Sequence, residues 1–424
     1  MGRAAREAHE FLRGAPDRQG WHGPRQGDQY DPSRRCRPGH GGFQESDRRR
    51  RMSEIRPFVL DVPKADLDRL HRKLDDTRWP EKEPVDDWSQ GTPLAALQDL
   101  AAYWRDGYDW RAGEAKLNAL GQFITEIDGL DIHFLHVRSK CDDALPLILT
   151  HGWPGSVREF FDVIPLLTEP QDGMAFHVVA PSLPGFGFSG KPRNTGWGVD
   201  KIATAWATLM QRLGYTEWVA QGGDWGSAVT TAIGAQAPEG CKGIHVNMPI
   251  GRPGPDDMAN PGPDELKALK ALKFYQDWDS GYSKQQSTRP QTIGYSLVDS
   301  PVGLAGWIFE KMFFWTDNGG SPFDTLSMDA ILDNIMLYWL PETGASAARL
   351  YWESFARFGE GTVAIPAGVS AFPKEIIPAP RKWAERRYAD LVYWNECEKG
   401  GHFAAWEQPE LFAAELRACF SLMR

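Results

Sequence analysis

The sequence predicts an α/β fold: a mostly parallel central sheet with helices on both faces, interrupted by a long helical insertion. Three observations predict it. Short apolar strands alternate with helical patterns over residues 143–250. From Gly251 to about Gly361 that rhythm stops, and the chain becomes loop-rich, helical and dense in aromatics such as Trp278, Tyr282, Trp307, Phe313, Trp339 and Tyr351. The alternation then returns over 362–424.

Ahead of the sheet pattern, residues 1–51 stand apart. They are rich in Arg, Gly, Gln and Pro and end in the run Arg48–Arg51, so they are read as a disordered arm or as a misassigned start with Met52 as the natural one. Residues 52–142 form an N-terminal region. Leu67, Leu70 and Leu74 place a helix over Lys64–Leu74, and Thr92 is the expected N-cap of a second helix over Pro93–Tyr103. Alternation at Phe123, Thr125 and Ile127, the Asp128-Gly129 turn, and Ile132, Phe134 and Leu135 predict a hairpin over Phe123–Val137.

In the first part of the core, strands are expected at Leu145–Thr150, Phe176–Ala180, Trp218–Gln221 and Gly243–Asn247. Helices are expected at Val157–Leu167, Asp200–Leu213 and Ser227–Gln236. After the insertion come a strand at Thr362–Ile365, a helix at Pro380–Arg387, a strand at Leu391–Trp394 and a closing helix from Pro409.

Composition narrows the function. The 424 residues carry a formal net charge of -10, which argues against a nucleic-acid partner. No apolar run approaches the roughly 20 residues needed to span a bilayer. The five cysteines (Cys36, Cys141, Cys241, Cys397, Cys419) are dispersed, with no C-x-x-C pair. They read as reduced thiols in a cytoplasmic protein, neither a disulfide framework nor a zinc site. Gly185–Gly190 lacks the spacing of a nucleotide loop, and no cofactor or metal is expected. Assembly is left open, a homo-oligomer included.

The chemistry is carried by three motifs. Gly222-Gly223-Asp224-Trp225-Gly226 lies between a strand and a helix and fits the nucleophile-elbow pattern, with Asp in the place of the more usual Ser. Flanking glycines suit a turn too tight for side chains, and the helix N-terminus favours an ionised Asp224. An aspartate that merely caps the helix is the bland alternative. Ser227 lacks the flanking glycines and is rejected as nucleophile. His151-Gly152-Trp153-Pro154-Gly155-Ser156 follows a strand, and a sharp turn there can aim backbone N–H groups into a site. The oxyanion donors are therefore assigned to the N–H groups of Trp153 and Trp225, while His151 is read as a brace for the loop. Gly400-Gly401-His402-Phe403 follows the final strand and supplies the base. Nucleophile, acid, then histidine is the chain order of the α/β-hydrolase fold. The acid chosen is Glu375, after the Thr362–Ile365 strand, with Glu396 and Glu398 as weaker alternatives.

Taken together, these residues resemble the epoxide hydrolases of the microsomal and juvenile-hormone type, over essentially all of 52–424. The matching segments are HGWPGS from His151, PSLPGFGFSG from Pro181, GGDWGS from Gly222, QSTRPQTIGYSLVDSPVGLAGWI from Gln286, SAFPKE from Ser370 and GGHFAAWEQPEL from Gly400. Arg56–Val137 is similar to the family's amino-terminal region, which wraps the main domain. The resemblance implies an N-terminal wrapping region, a core over 143–250 and 362–424, and a lid over 251–361. It also implies that Asp224 opens a small apolar or aromatic epoxide to a covalent ester. Tyr282 and Tyr351, singled out by the resemblance alone, would protonate the departing oxygen, and His402, oriented by Glu375, would activate water. The membrane anchor of the mammalian microsomal members is not seen in this sequence. Two rival readings are a haloalkane or haloacid dehalogenase, which shares the Asp elbow but needs halide donors, and a non-catalytic ligand-binding relative.

Overall fold

The computed structural model describes residues 54–355 and 361–423; the reading of residues 1–51 lies outside them. Strands β1 (Arg56–Phe58), β2 (Gln122–Ile127), β3 (Leu130–Val137), β4 (Leu145–Thr150), β5 (Phe176–Pro181), β6 (Trp218–Gly222), β7 (Cys241–Val246), β8 (Ala367–Ala371) and β9 (Leu391–Glu396) form one sheet in the order β1-β2-β3-β5-β4-β6-β7-β8-β9. Pairing is antiparallel from β1 to β5 and parallel from β5 onward to β9. β4, β5 and β6 are almost wholly buried, as expected of apolar strands covered on both faces.

Helices α1 (Lys64–Asp75), α2 (Leu94–Asp106) and α3 (Trp110–Ala119) precede the β2–β3 hairpin. The turn of that hairpin has positive φ at both Asp128 and Gly129, as a two-residue loop requires. Around the sheet lie α4 (Val163–Thr168), α5 (Val199–Arg212) and α6 (Trp225–Gln236). Between β7 and β8 run α7 (Pro255–Ala259), α8 (Pro263–Phe274), a π-helical turn (Tyr275–Asp279), α9 (Gly281–Thr288), α10 (Pro290–Asp299), α11 (Pro301–Trp315), α12 (Met328–Trp339) and α13 (Gly344–Ser354). Short α14 (Arg381–Ala384) precedes β9, and α15 (Ala404–Glu407) and α16 (Pro409–Phe420) close the chain. The helical insertion expected after Gly251 is thus seen, and no helix among the described residues is long and apolar enough to cross a membrane.

The N-terminal region does more than extend the sheet. Trp88 stacks on Phe313 of α11 at 4.0 Å and 2°, and Lys73 donates to the Asp299 carboxylate at 2.7 Å. Tyr108, on the loop before α3, donates to Asp333 of α12 at 2.8 Å. The lid is therefore held from below by a part of the chain that precedes the core.

Several expectations need correction. The strand expected at Thr362–Ile365 is instead β8, after Pro366; Val363 makes only an isolated bridge to Tyr388. Small residues hide β8 from hydropathy, and they are small because α16 packs closely: a Cβ on Gly368 would run into the Cys419 sulfur. The single helix expected over Val157–Leu167 is a 3₁₀ turn, Val157–Phe160, followed by α4. Pro165 lacks an N–H, so the helix restarts with Pro165 in its first turn. Pro93, not Thr92, caps α2; the Thr92 hydroxyl donates to the Gly306 carbonyl, and Glu83 accepts the Leu94 N–H at 3.0 Å. The helix expected over Pro380–Arg387 is the shorter α14.

Candidate active site

Asp224 sits at the turn from β6 into α6 with φ 50° and ψ -126°, a conformation few non-glycine residues adopt. Glycines make the turn possible. A Cβ on Gly222 would strike the Gly226 carbonyl, and one on Gly226 the Thr150 carbonyl of neighbouring β4. The turn lifts the carboxylate out of the sheet toward the loop after β4. There a Cβ on Gly152 would collide with the Asp224 carboxylate, and the Trp153 N–H donates to Asp224 Oδ1 at 2.7 Å. Ser227 is spoken for, its buried hydroxyl donating to the Gly222 carbonyl at 2.8 Å.

His402 approaches from the loop after β9. Its Nδ1 lies 2.8 Å from Glu375 Oε1, and its Nε2 lies 3.3 Å from Asp224 Oδ2. Nε2 is buried without a well-formed hydrogen bond, and it faces the Asp224 carboxylate. The side chains of His402 and Glu375 are 1% and 2% exposed, and that of Asp224 is 14% exposed. Burial alone would push the imidazole down, but the Glu375 and Asp224 carboxylates outweigh it and hold it well above its ordinary value. Glu375 lies on the loop after β8, and its Oε1 also accepts the Ile376 N–H at 2.7 Å. Glu396 and Glu398 are exposed and do not reach His402.

The lid closes over this group with aromatic rings. Tyr282 of α9 stacks on Trp153 at 4.7 Å and 10°. Tyr351 of α13 packs edge-on against Trp225 at 4.8 Å and against Tyr282 at 5.8 Å. Burial pushes both phenols well above their usual range, with the negative charge of Asp224 adding to it, so both keep their protons. The Tyr282 hydroxyl lies 3.1 Å from that of Tyr275, while the buried Tyr351 hydroxyl has no well-formed hydrogen bond. The Asp224 carboxylate, the His402 imidazole and two protonated phenols are thus gathered in one enclosed space. The Trp225 side chain forms part of its wall.

A pattern described as "Epoxide hydrolase N terminus" matches residues 55–160, and one described as "alpha/beta hydrolase fold" matches 146–293. A curated relative from Stigmatella aurantiaca, whose name carries the words epoxide hydrolase, is 56% identical over 376 residues, covering 87% of this chain and 86% of its own. Epoxide hydrolase 1 of Sus scrofa is 36% identical over 87% of this chain and 89% of its own. The chain belongs to the epoxide hydrolase family. Solved structures agree. The juvenile hormone epoxide hydrolase of Bombyx mori superposes with a TM-score of 0.83 at 30% identity, covering 90% of this chain and 97% of that one. The epoxide hydrolase of Aspergillus niger gives 0.80 at 33% identity, covering 88% and 97%.

Asp224, His402, Glu375, Tyr282, Tyr351, Trp153 and Trp225, all singled out from the sequence, lie around the same point, whereas the alternatives Glu396 and Glu398 do not. His151 is the expected brace: its ring accepts the Leu183 N–H at 3.2 Å and faces the Gly152 carbonyl, and burial pushes it down to about 4. Two carboxyls were not anticipated. Glu159, on the 3₁₀ turn, is pushed up to about 8 by burial, with His402 and Asp224 close enough to influence it. Glu407, in α15, gathers backbone N–H groups around the histidine loop. Among the described residues no group of His, Cys, Asp and Glu has the arrangement of a metal site.

Proposed function

We propose that this chain hydrolyses an apolar epoxide to a vicinal diol through a covalent ester on Asp224. The observation that carries this reading is the convergence of Asp224, aligned with the His402–Glu375 pair, on two buried and protonated lid phenols. A serine at the elbow would leave an ether after opening the ring, with no carbonyl for water to attack. A carboxylate leaves an ester.

The Trp153 hydrogen bond marks Oδ1 as the future carbonyl oxygen and leaves Oδ2 to attack a ring carbon. As the C–O bond of the oxirane breaks, Tyr282 or Tyr351 gives its proton to the departing oxygen. His402 Nε2 then takes a proton from water, whose oxygen adds to the ester carbon. Negative charge collects on Oδ1, where the Trp153 and Trp225 N–H groups meet it. Collapse expels the second diol oxygen, which takes the proton from His402. Asp224 is released as the acid, and its proton restores the tyrosine.

Mixing the His402→Gln variant with styrene oxide and measuring intact mass tests this reading. The expected result is a gain of one epoxide, mapping to Asp224. A folded variant that gains no mass with any of several epoxides would overturn it, and haloalkanes would then be tried.

A further inference from the structure

Four consecutive backbone N–H groups around the base are each given a partner. Gly400 donates to the Asp317 carboxylate at 2.9 Å, Gly401 to Glu407 Oε2 at 3.0 Å, His402 to the Trp315 carbonyl at 2.9 Å, and Phe403 to Glu407 Oε1 at 2.9 Å. The partners alternate between Glu407 and the end of lid helix α11. Glu407 also reaches the lid itself, because its Oε2 accepts the Asp317 N–H at 2.7 Å. From there the connection continues: the Trp315 indole donates to Asp279 at 2.7 Å, three residues before Tyr282. There is no room for slack at the centre. A Cβ on Gly401 would come within 2.6 Å of the Trp315 carbonyl and 2.9 Å of both the Asp317 nitrogen and Glu407.

We propose that Glu407 is a positioning residue that clasps the His402 loop to the end of the lid helix, so that the base keeps its place beside Asp224. Both carboxylate oxygens are needed, since three N–H groups converge on them. A glutamine could offer acceptors on only one side, and its NH₂ would face a donor. Burial raises the Glu407 carboxyl to about 7 even though these N–H groups favour its charge.

The inference rests on the epoxide-opening reading and separates its two halves. Attack by Asp224 does not use the base, whereas hydrolysis of the ester does. Glu407→Gln is expected to leave ester formation within about threefold of wild type and to slow ester hydrolysis by about 10–100-fold, the scale of a misplaced catalytic group. The ester would then accumulate in rapid-quench mass spectrometry with styrene oxide. Asp317→Ala, a half-buried change that removes only the Gly400 partner, should show the same pattern more weakly and serves if the Gln variant fails to fold. Both half-reactions unchanged, or both slowed alike, in a folded variant would overturn the proposal. Wild-type enzyme that turns over no epoxide would instead remove the reading beneath it.

Discussion

The carboxyl of Glu159 occupies the space into which a side chain on Gly155 would project. The glycine and the acid, four residues apart around the 3₁₀ turn, are therefore one unit. Gly155→Ala must displace the carboxyl and is expected to cost about 1–3 kcal/mol, as overpacked sites do. Adding Glu159→Ala should return much of that loss. Denaturant titration of the two single variants and the double variant measures the coupling, and simple additivity would show that the two positions do not share space.

Glu159 also sets a dependence on pH. Its folded-state value is raised to about 8 from the ordinary glutamate range, chiefly by burial. A raised value means that the stability tied to its proton is complete below the unfolded-state value and is lost as pH rises through about 8. Glu159→Gln keeps the shape without the titration. Its melting temperature should gain on wild type progressively between pH 5 and 9, by calorimetry in matched buffers. A constant difference across that range would mean that the folded protein carries Glu159 ionised.

Removing either phenol should act on the first half-reaction alone. Tyr282→Phe and Tyr351→Phe are each expected to slow ester formation on the order of 100-fold, typical of lost general-acid assistance. Ester hydrolysis should be nearly unchanged. Stopped-flow tryptophan fluorescence can follow this, since Trp153 and Trp225 contact the two rings. A variant with unaltered ester formation would remove that tyrosine from the mechanism.

Glu375→Gln should have the opposite fingerprint. Without the carboxylate at Nδ1 the imidazole loses its orientation and a charge partner, and turnover should fall by about 10²–10⁴, with ester accumulating. A related effect follows in the wild type. Asp224 is one of the two charges holding His402 up, and alkylation removes it. The apparent pKa of single-turnover ester hydrolysis should therefore lie below that of His402 in the free enzyme by NMR. Equal values would show that Asp224 does not influence the base.

Much of this site was legible because its chemistry leaves marks in the chain. The elbow needs glycines around Asp224, the oxyanion loop needs a sharp turn at Trp153, and the base follows the last strand. Tyr282 and Tyr351 have no such local mark; only the resemblance picked them out, because a lid tyrosine looks like any packed aromatic. Glu159 and Glu407 escaped for a related reason. Each reads as an ordinary surface acid until the fold buries it. Glu375 was found even though its strand was misplaced, since the acid's place in the chain order survives an error in the strand ahead of it. Helix α3 and strand β1 were missed because their burial depends on partners far along the chain: Glu114 of α3 accepts the Val62 N–H at 2.7 Å, and β1 pairs with β2.

The stack of Trp88 on Phe313 and the ion pair of Lys73 with Asp299, residues 226 positions apart, pin the roof of the chamber to the front of the chain. A change in the N-terminal region is therefore felt at the roof of the site, because Phe313 rests on the Trp88 ring.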